Sequence, residues 1–345
     1  MKTRRLLAAL TAAAMSATLL TGCGGDKPAA NGSGSGSGSG AKSGDGYNIT
    51  MICGNRDEFG SALEQGSLAV AKEMNVKLTT QDAQNDVSRQ IQFVESAHNA
   101  GEDAILVQIV DPGIAKQCIE AANGTPLVFY NRALNAEDMD ALNEIVAYVG
   151  SDENTSGYFQ GEYLAKYFNE KGQKDVKYLM LSGTLGAVYT TMRTEGVLKG
   201  MKDGGLNPIE AAAPLVADYE RATAMDMISP LVDTVEYDCI ISNNDAMALG
   251  AVEALKAKGL DPTKVPIVGI DATVDGREAI KSGEMAMTVF QNPDGQGRAS
   301  LMAAINMIEG KPINEGTQYE VDDEYAQVVW VPFEPVTIDN VADYE

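Results

Sequence analysis

The sequence predicts an α/β fold in which helices cover both faces of parallel sheets. Three observations lead to this prediction. From Tyr47 onward, short apolar runs alternate with amphipathic stretches of helical period. Glycine falls just past four of these stretches, at Gly101, Gly259, Gly283 and Gly310, as is common at helix ends. The chain has 345 residues, 44% of them hydrophobic, which is enough for two moderate cores and favours two lobes.

The first 22 residues have the pattern of an export signal. Lys2, Arg4 and Arg5 precede an alanine-rich apolar stretch that is too short for a permanent membrane span. The stretch ends in LTGC (20–23), and small residues leading into a cysteine resemble the lipobox of bacterial lipoproteins. By that resemblance Cys23 carries the lipid of the mature chain, whereas an ordinary secretory signal with an incidental cysteine is the alternative. Residues 23–46 are rich in Gly and Ser and are predicted to be a flexible linker.

Strands and helices then follow in turn. The runs predicted as strands are YNITMIC (47–53), AILVQIV (104–110), PLVFYN (126–131), IVAYVG (145–150), VKYLML (176–181), DCIIS (238–242), PIVGI (266–270), AMTVF (286–290) and AQVVWVPF (326–333). The stretches predicted as helices are 60–74, 112–122, 155–170, 190–204, 245–258, 275–282 and 296–309. Because helices separate the strands, we expect parallel pairing within each sheet.

Charge and cysteine content exclude several classes of function. Without residues 1–22 the chain has 23 basic against 49 acidic residues, a formal net charge of −26, which disfavours nucleic acid and anionic headgroups as partners. Cys53, Cys118 and Cys239 lie in apolar elements and are predicted to be buried free thiols. His98 is the only histidine, and no metal-ligand spacing is present, so we expect no metal, no cofactor and no catalytic imidazole.

Polar residues follow the predicted strands. In SNNDAMALGAVEALK (242–256), Asn243, Asn244 and Asp245 stand between an apolar run and a helix, and one helix cap accounts for only one of them. Five further strand ends carry polar groups: GNRDEF (54–59), NR (131–132), SGTLGAVY (182–189), Asp271 and QN (291–292). Because the carboxyl ends of parallel strands meet at one edge, where α/β folds hold ligands, these groups predict a polar cleft.

Several motifs resemble one family in order and spacing. IVDP (109–112), LVFYN (127–131), YVGSDENTSG (148–157), ISNNDAMALGAVEALK (241–256) and IVGIDA (267–272) resemble the galactose/glucose- and ribose-binding receptors of bacterial ABC sugar importers. The resemblance runs from about Tyr47 to Asn340. It implies the type I periplasmic binding protein fold, in which two Rossmann-like (flavodoxin-like) lobes with parallel sheets are joined by three hinge crossings.

The resemblance also implies the lobe boundaries. The N-terminal lobe is expected to comprise residues 47–150 plus 293–328, and the C-terminal lobe residues 151–292 plus 329–345. The hinge crossings are then expected near residues 150–152, 291–293 and 328–331.

The same resemblance implies the ligand contacts. It assigns ring hydroxyls or ring faces of a monosaccharide to Asp57, Phe59, Asn131, Arg193, Tyr219, Asn244, Asp271 and Gln291. Arg132 matches an arginine of the ribose-binding receptors, and Tyr189 occupies a position where the hexose receptors have an acidic residue. Ala187 replaces their histidine, so two hexose contacts are altered. NEKGQKDVK (169–177) replaces the family's calcium loop, so no structural calcium is expected.

These inferences predict a lipid-anchored, monomeric receptor on the outer face of the cytoplasmic membrane, or in the periplasm of an organism with an outer membrane. It would deliver a monosaccharide to an ABC permease, with galactose or glucose preferred and a pentose as the alternative. The sequence leaves open a second role, presenting the sugar to a chemoreceptor or kinase sensor. An enzyme using Asp57 and Asp271 as paired carboxylates is disfavoured because nothing positions a leaving-group acid.

Overall fold

A computed structural model describes residues 46–344. The predicted export signal (1–22), Cys23 and all but the last residue of the predicted linker lie outside the described residues. Within the described part the chain forms two seven-stranded sheets with helices against both faces of each. The predicted α/β class with two lobes is confirmed.

The first lobe contains the first sheet, in the order β12-β13-β5-β4-β3-β1-β2. Its strands are β1 (Asn48–Cys53), β2 (Lys77–Asp82), β3 (Ala104–Val107), β4 (Leu127–Asn131), β5 (Val146–Gly150), β12 (Glu320–Val321) and β13 (Val328–Trp330). Its helices are α1 (Glu58–Glu73), α2 (Val87–Ala100), α3 (Ala115–Ala122), α4 (Ala136–Met139) and α10 (Pro293–Glu309). The core on one face joins α1 and α10 to the sheet, and the core on the other face joins α2 and α3 to it.

The second lobe contains the second sheet, in the order β14-β11-β10-β9-β6-β7, with β8 also paired to β6. Its strands are β6 (Asp175–Ser182), β7 (Asn207–Glu210), β8 (Leu215–Val216), β9 (Cys239–Ser242), β10 (Ile267–Val268), β11 (Met287–Gln291) and β14 (Phe333–Thr337). Its helices are α5 (Glu153–Glu170), α6 (Val188–Asp203), α7 (Arg221–Ile228), α8 (Asp245–Ala257) and α9 (Val274–Lys281). α5 and α6 cover one face, whereas α7, α8 and α9 cover the other.

Both sheets are predominantly parallel, as predicted, and each has one antiparallel pair at an edge. β12 runs antiparallel to β13, and β14 runs antiparallel to β11. The apolar run 326–333 was predicted as one strand, but it is divided between the two sheets. Val329 and Trp330 pair with β5 of the first sheet, so the expected lobe boundary after residue 328 falls two residues too early. Phe333 is already in the second sheet.

The chain crosses between the sheets three times, as expected. The crossings are residues 151–152 between β5 and α5, residue 292 between β11 and α10, and residues 331–332 between β13 and β14. The first and third crossings are held together, because the Ser151 hydroxyl donates to the Val331 carbonyl at 2.6 Å. Ser151 also accepts from the Gln296 amide at 2.8 Å, which ties the start of α10 to the same point.

Two helices of the second lobe approach each other to backbone contact. Gly157 and Gly161 of α5 face Gly196 and Gly200 of α6. A Cβ added at Gly157 would lie 2.1 Å from the carbonyl oxygen of Arg193, closer than any stable packing allows. Small residues four apart therefore set the distance between α5 and α6, and they bring the first turn of α5 beside Arg193.

Candidate ligand-binding site

Arg193 lies at the centre of a cluster of polar residues in the second lobe, called the second-lobe wall: Glu153, Arg193, Asn243, Asp271 and Gln291. It lies in α6, it is 5% exposed, and every nitrogen of its guanidinium faces a polar group. Nε and Nη2 donate to the Glu153 carboxylate at 2.6 and 3.1 Å. Nη2 also donates to Gln291 Oε1 at 3.3 Å, and Nη1 donates to the Asn243 carbonyl at 2.8 Å. Burial opposes the charge, but the combined interactions with Glu153, Tyr219 and Asp271 outweigh it and raise the pKa of Arg193.

Asp271 lies beside Arg193 in a constrained turn after β10. Its φ is 117°, a backbone conformation that L-residues rarely adopt, and its amide donates to the Val289 carbonyl at 2.8 Å. Its Oδ1 is 3.9 Å from Arg193 Nη1, an ion-pair distance rather than a hydrogen bond. Burial raises the pKa of Asp271 well above its usual value; Arg193 opposes the shift, and the neighbouring carboxylates reinforce it. A strained, buried acid is typical of a functional position.

The three polar residues that follow β9 have three different structural roles. Asn243 accepts from the Gly183 amide at 3.1 Å, which joins the ends of β9 and β6. Asn244 is the N-cap of α8 and accepts from the Met247 amide at 3.0 Å. Asp245 is buried and accepts from the Thr288 hydroxyl at 2.6 Å and from the Thr273 amide at 2.8 Å.

Asp245 therefore holds the turn that carries Asp271. Its own amide donates to the Ile270 carbonyl at 2.8 Å, and its carboxylate accepts from Thr273 after Asp271 and from Thr288 of β11. Burial raises the pKa of Asp245 to about 7, although its three hydrogen bonds oppose the shift. The carboxylate thus contributes to the order of the wall rather than to its exposed surface.

Two tyrosines lie next to Arg193. The Tyr219 hydroxyl is 2.7 Å from the Thr190 hydroxyl, and the Tyr219 ring centroid is 5.7 Å from that of Tyr189 and 6.0 Å from Arg193 Cζ. Gly183 makes room for this ring, because a Cβ there would lie 2.0 Å from the ring of Tyr219. Both tyrosines are half-buried, so a ring face remains available to an apolar face of a ligand.

On the first lobe, Asn55 connects the residues that the sequence singled out. Its amide donates to Asp57 at 3.2 Å, and its carbonyl oxygen accepts from Arg132 at 2.7 Å. Asp57 is exposed and caps α1 by accepting from the Gly60 amide at 2.7 Å. Phe59, one residue into α1, is half-buried and packs against the first-lobe core.

Asn131 has a larger structural role than the sequence suggested. Its φ is 64°, its side-chain oxygen accepts from Gln108 at 2.8 Å, and its amide donates to Gln296 at 3.0 Å. Gln108 in turn accepts from the Gly54 amide at 2.9 Å. Asn131 thus joins the ends of β3 and β4 to α10, whereas the family resemblance implied only a ligand contact for it.

Acids of the two lobes interact electrostatically. The charge of Asp57, on the first lobe, contributes to the raised pKa of Asp271 on the second. Glu58 likewise contributes to the raised pKa of Asp245. The residues that follow β1 and those that follow β9 and β10 together include carboxylate acceptors, amide and guanidinium donors, and aromatic faces, which are the groups that suit a small polyol.

Sequence reasoning missed three buried polar residues of this region, Gln108, Glu153 and Gln296, and the half-buried Asn55. Gln108 lies inside a predicted apolar strand and Gln296 begins a predicted helix, so a polar residue at a core position was the available signal. Glu153 lies at a predicted helix start, where a carboxylate is ordinarily read as a favourable helix-dipole contact.

The remaining reactive groups do not form a second site. Cys53, Cys118 and Cys239 are free and buried, as predicted, and burial raises the pKa of the first two thiols to about 11 and about 12. Between residues 46 and 344, His, Cys, Asp and Glu side chains nowhere gather in threes as a metal site would need. In the same range, none of the helices has the length and apolar character of a membrane span.

Comparisons with known proteins agree with this geometry. A model of the periplasmic binding protein domain matches residues 49–312. A putative rhizopine-binding protein of Rhizobium meliloti is 33% identical over 293 residues, covering 84% of this chain and 89% of that protein. The D-galactose/methyl-galactoside binding periplasmic protein of Haemophilus influenzae is 31% identical over 280 residues, covering 78% and 82%.

A solved structure has a similar fold and belongs to the same class of protein. An ABC transporter solute binding protein from Bacillus halodurans with bound myo-inositol superposes with a TM-score of 0.74 at 30% identity, covering 88% of this chain and 99% of that one. Fold and cleft define a two-lobed solute-binding protein, not an enzyme. The chain belongs to the periplasmic binding protein family, within the group of sugar-binding proteins that serve ABC transporters, which confirms the resemblance drawn from its motifs.

Proposed function

We propose that this chain is the receptor of an ABC sugar importer and binds one uncharged, ring-shaped polyol between its lobes. The observation that supports the proposal is the contact of Arg193 with Gln291 and its approach to Asp271, together with the effect of the Asp57 charge on the pKa of Asp271. A receptor must replace each hydrogen bond that a sugar hydroxyl gives up to water, which requires donors and acceptors together.

The ten residues assigned from the sequence remain our proposed contact set. Asp57 and Asp271 are the acceptors, and Arg193 and Asn244 are donors. Tyr189, Tyr219 and Phe59 supply ring faces. Asn131, Arg132 and Gln291 complete the set, although Asn131 and Gln291 also hold the protein's own polar groups.

Galactose or glucose is the first candidate ligand. The relative from Haemophilus influenzae is named for galactose, and the matching residues Asp57, Arg193, Asn244 and Asp271 support a hexose. myo-Inositol is the second candidate, because the solved structure from Bacillus halodurans contains it. Like a hexopyranose, myo-inositol has a six-membered ring that carries several hydroxyl groups. A pentose is the third candidate, supported by Arg132 and by the replacement of two hexose-receptor residues at Ala187 and Tyr189.

Closure follows from the divided site. Since each lobe supplies part of the contacts, the full set forms only in the closed arrangement, and the ligand shifts the population toward it. The three crossings are the hinges of this motion. A receptor must also release its cargo to the permease, so we expect micromolar or somewhat tighter affinity, on the order of −8 kcal/mol.

Titration calorimetry tests the proposal. We expect heat of binding with at least one of galactose, glucose, myo-inositol, ribose, xylose and arabinose, and an affinity loss of about 100-fold or more in Asp271→Asn, because a charge-assisted acceptor is removed. Asp275→Asn is the matched control, since Asp275 is exposed on the next helix. The absence of heat with all six ligands, or equal effects of the two substitutions, would contradict the proposal.

We further propose that Cys23 carries a lipid that anchors a monomeric receptor to the outer face of the cytoplasmic membrane. Cells grown with an alkyne-labelled fatty acid should label the protein, and Cys23→Ala should lose both the label and membrane association. Label persisting in Cys23→Ala would contradict the anchor. Loss of sugar uptake on deletion of the gene distinguishes transport from sensing, in which chemotaxis or signalling alone would be lost.

A further inference from the structure

Glu153 is a buried carboxylate that no ligand contact explains. It is 2% exposed and is the first residue of α5, immediately after the first crossing. A buried carboxylate costs several kcal/mol unless it is paired, so its partners indicate its role. The glycine contacts between α5 and α6 place it directly beside Arg193.

Both oxygens of Glu153 are directed at protein groups. Oε2 accepts from Arg193 Nε at 2.6 Å, and Oε1 accepts from Arg193 Nη2 at 3.1 Å. Weaker contacts reach Oε1 from the Gln291 amide at 3.5 Å and Oε2 from the Ser156 hydroxyl at 3.4 Å. This two-point pairing is the strong geometry of an arginine with a carboxylate. Glu153 therefore acts on a ligand through Arg193 and is a positioning residue.

The pairing limits what Arg193 offers to a ligand. A guanidinium has five N–H donors, and four of them are used by Glu153, Gln291 and the Asn243 carbonyl. The remaining donor is on Nη1, the nitrogen 3.9 Å from Asp271 Oδ1. Arg193 thus presents a single donor beside a carboxylate, rather than a fork that could hold an anion.

The pairing also sets the charge of the wall. Glu153 offsets the charge of Arg193, while Asp271 lies beside this pair and also interacts with the charges of Asp245 and Asp57. Two other arginines lie nearby. Arg132 directs its donors to the Asn55 side chain, the Ile109 carbonyl and Asn85 of its own lobe, and Arg277 of the second lobe directs Nη1 to the Ala272 carbonyl. An anionic ligand would meet two acids, Asp271 and Asp57, together with arginines whose donors are directed at protein groups.

We propose that Glu153 determines the charge selectivity of the cleft: by neutralising Arg193, it excludes polyols that carry a carboxylate or a phosphate and admits neutral polyols and those that carry an ammonium group. This inference rests on the proposed function, because it concerns the ligands of the same cleft. It differs from that function in assigning the choice of ligand charge to a residue that does not touch the ligand.

The test compares matched ligands that differ in charge. Galactose, galacturonate and galactosamine form one series, and myo-inositol with myo-inositol 1-phosphate forms the other. We expect the wild-type protein to bind galacturonate or the inositol phosphate at least 100-fold more weakly than the neutral ring, and to bind galactosamine at least as tightly as galactose. A wild-type protein that binds an anion within tenfold of its neutral counterpart would overturn the proposal without any variant.

Glu153→Gln removes the charge but keeps an acceptor for Arg193. We expect the preference for the neutral ring over the anion to narrow at least tenfold, because the wall loses one negative charge and Arg193 keeps only the more distant carboxylate of Asp271 as a partner. Glu153→Asp keeps the charge and should preserve the preference even where all affinities fall. Glu162→Gln, an exposed change on the same helix, is the control. It should alter neither the affinities nor the preference for the neutral ring.

The outcomes separate the two proposals. If all neutral rings fail to bind, the proposed function fails. If neutral rings bind and Glu153→Gln weakens every ligand by the same factor, Glu153 is only structural and the selectivity proposal fails.

Discussion

Gly157→Ala tests the close packing of α5 on α6. A Cβ at Gly157 would lie 2.1 Å from the Arg193 carbonyl oxygen and 2.9 Å from the Val197 amide nitrogen, and both are backbone atoms that cannot rotate away. The helices must therefore move apart by about 1 Å to restore ordinary contact. Alanine gains about 1 kcal/mol over glycine from helix propensity. Overpacking costs up to about 3 kcal/mol, so we expect a net loss of about 2 kcal/mol.

Thermal and urea unfolding measure this loss, which corresponds to a fall in melting temperature of roughly 4 °C for a chain of this size. Because α6 carries Arg193, the separation also moves its guanidinium from Asp271, and we expect weaker ligand binding. Glu162→Ala, on the exposed side of α5, is the control and should change stability by no more than about 0.5 kcal/mol. A Gly157→Ala protein as stable as the wild type, with the same affinity, would refute the reasoning.

Three further substitutions give separate tests. Asn244→Ala removes the cap of α8 and should cost about 1 kcal/mol of unfolding free energy in urea as well as ligand affinity; affinity loss at unchanged stability would refute the capping role. Asp245→Asn should gain stability relative to the wild type as pH rises from 5 to 8. Burial raises the pKa of Asp245 in the folded state to about 7, from an ordinary value of 3.8. The contribution of the protonated side chain to the free energy of unfolding is therefore complete below about pH 4 and is lost as pH rises through 7. Urea unfolding at several pH values that shows the opposite trend would refute this prediction. Ser151→Ala leaves the Val331 carbonyl and the Gln296 amide without their shared partner and should cost about 2 kcal/mol in thermal unfolding; an unchanged melting temperature would show that this contact does not stabilise the crossings.

The sequence predicted the buried strands of both sheets because their apolar runs are continuous. It missed β2, in which no residue is fully buried, and β7, which is mostly exposed, because edge strands need no continuous apolar pattern. It merged β13 and β14 because the crossing between them is itself buried: Val331 is 0% exposed, and no polar residue interrupts the run. A run of apolar residues indicates that the residues are buried, but it does not indicate which sheet they belong to.

The sequence indicated which polar residues follow the strands, but not how those residues contact one another. Polar strand ends identified Asp271 and Asn244, since the edge of a parallel sheet collects the residues that follow its strands. Glu153 was not identified, because its partner Arg193 is 40 residues away and the two meet only where α5 and α6 touch. Contacts of that kind depend on the distance between two helices, which sequence spacing alone does not give.

The first lobe is discontinuous in the chain, and this has a consequence for biogenesis. α10, β12 and β13 are synthesised after nearly all of the second lobe, yet Leu301 and Ile305 of α10 complete the core over β1, β3 and β4. Until the ribosome has passed residue 309, the apolar face of the nascent first lobe is covered by α1 but lacks α10. A chain destined for export therefore stays incompletely folded until late in translation, which is the state that a translocation channel for unfolded polypeptides can accept.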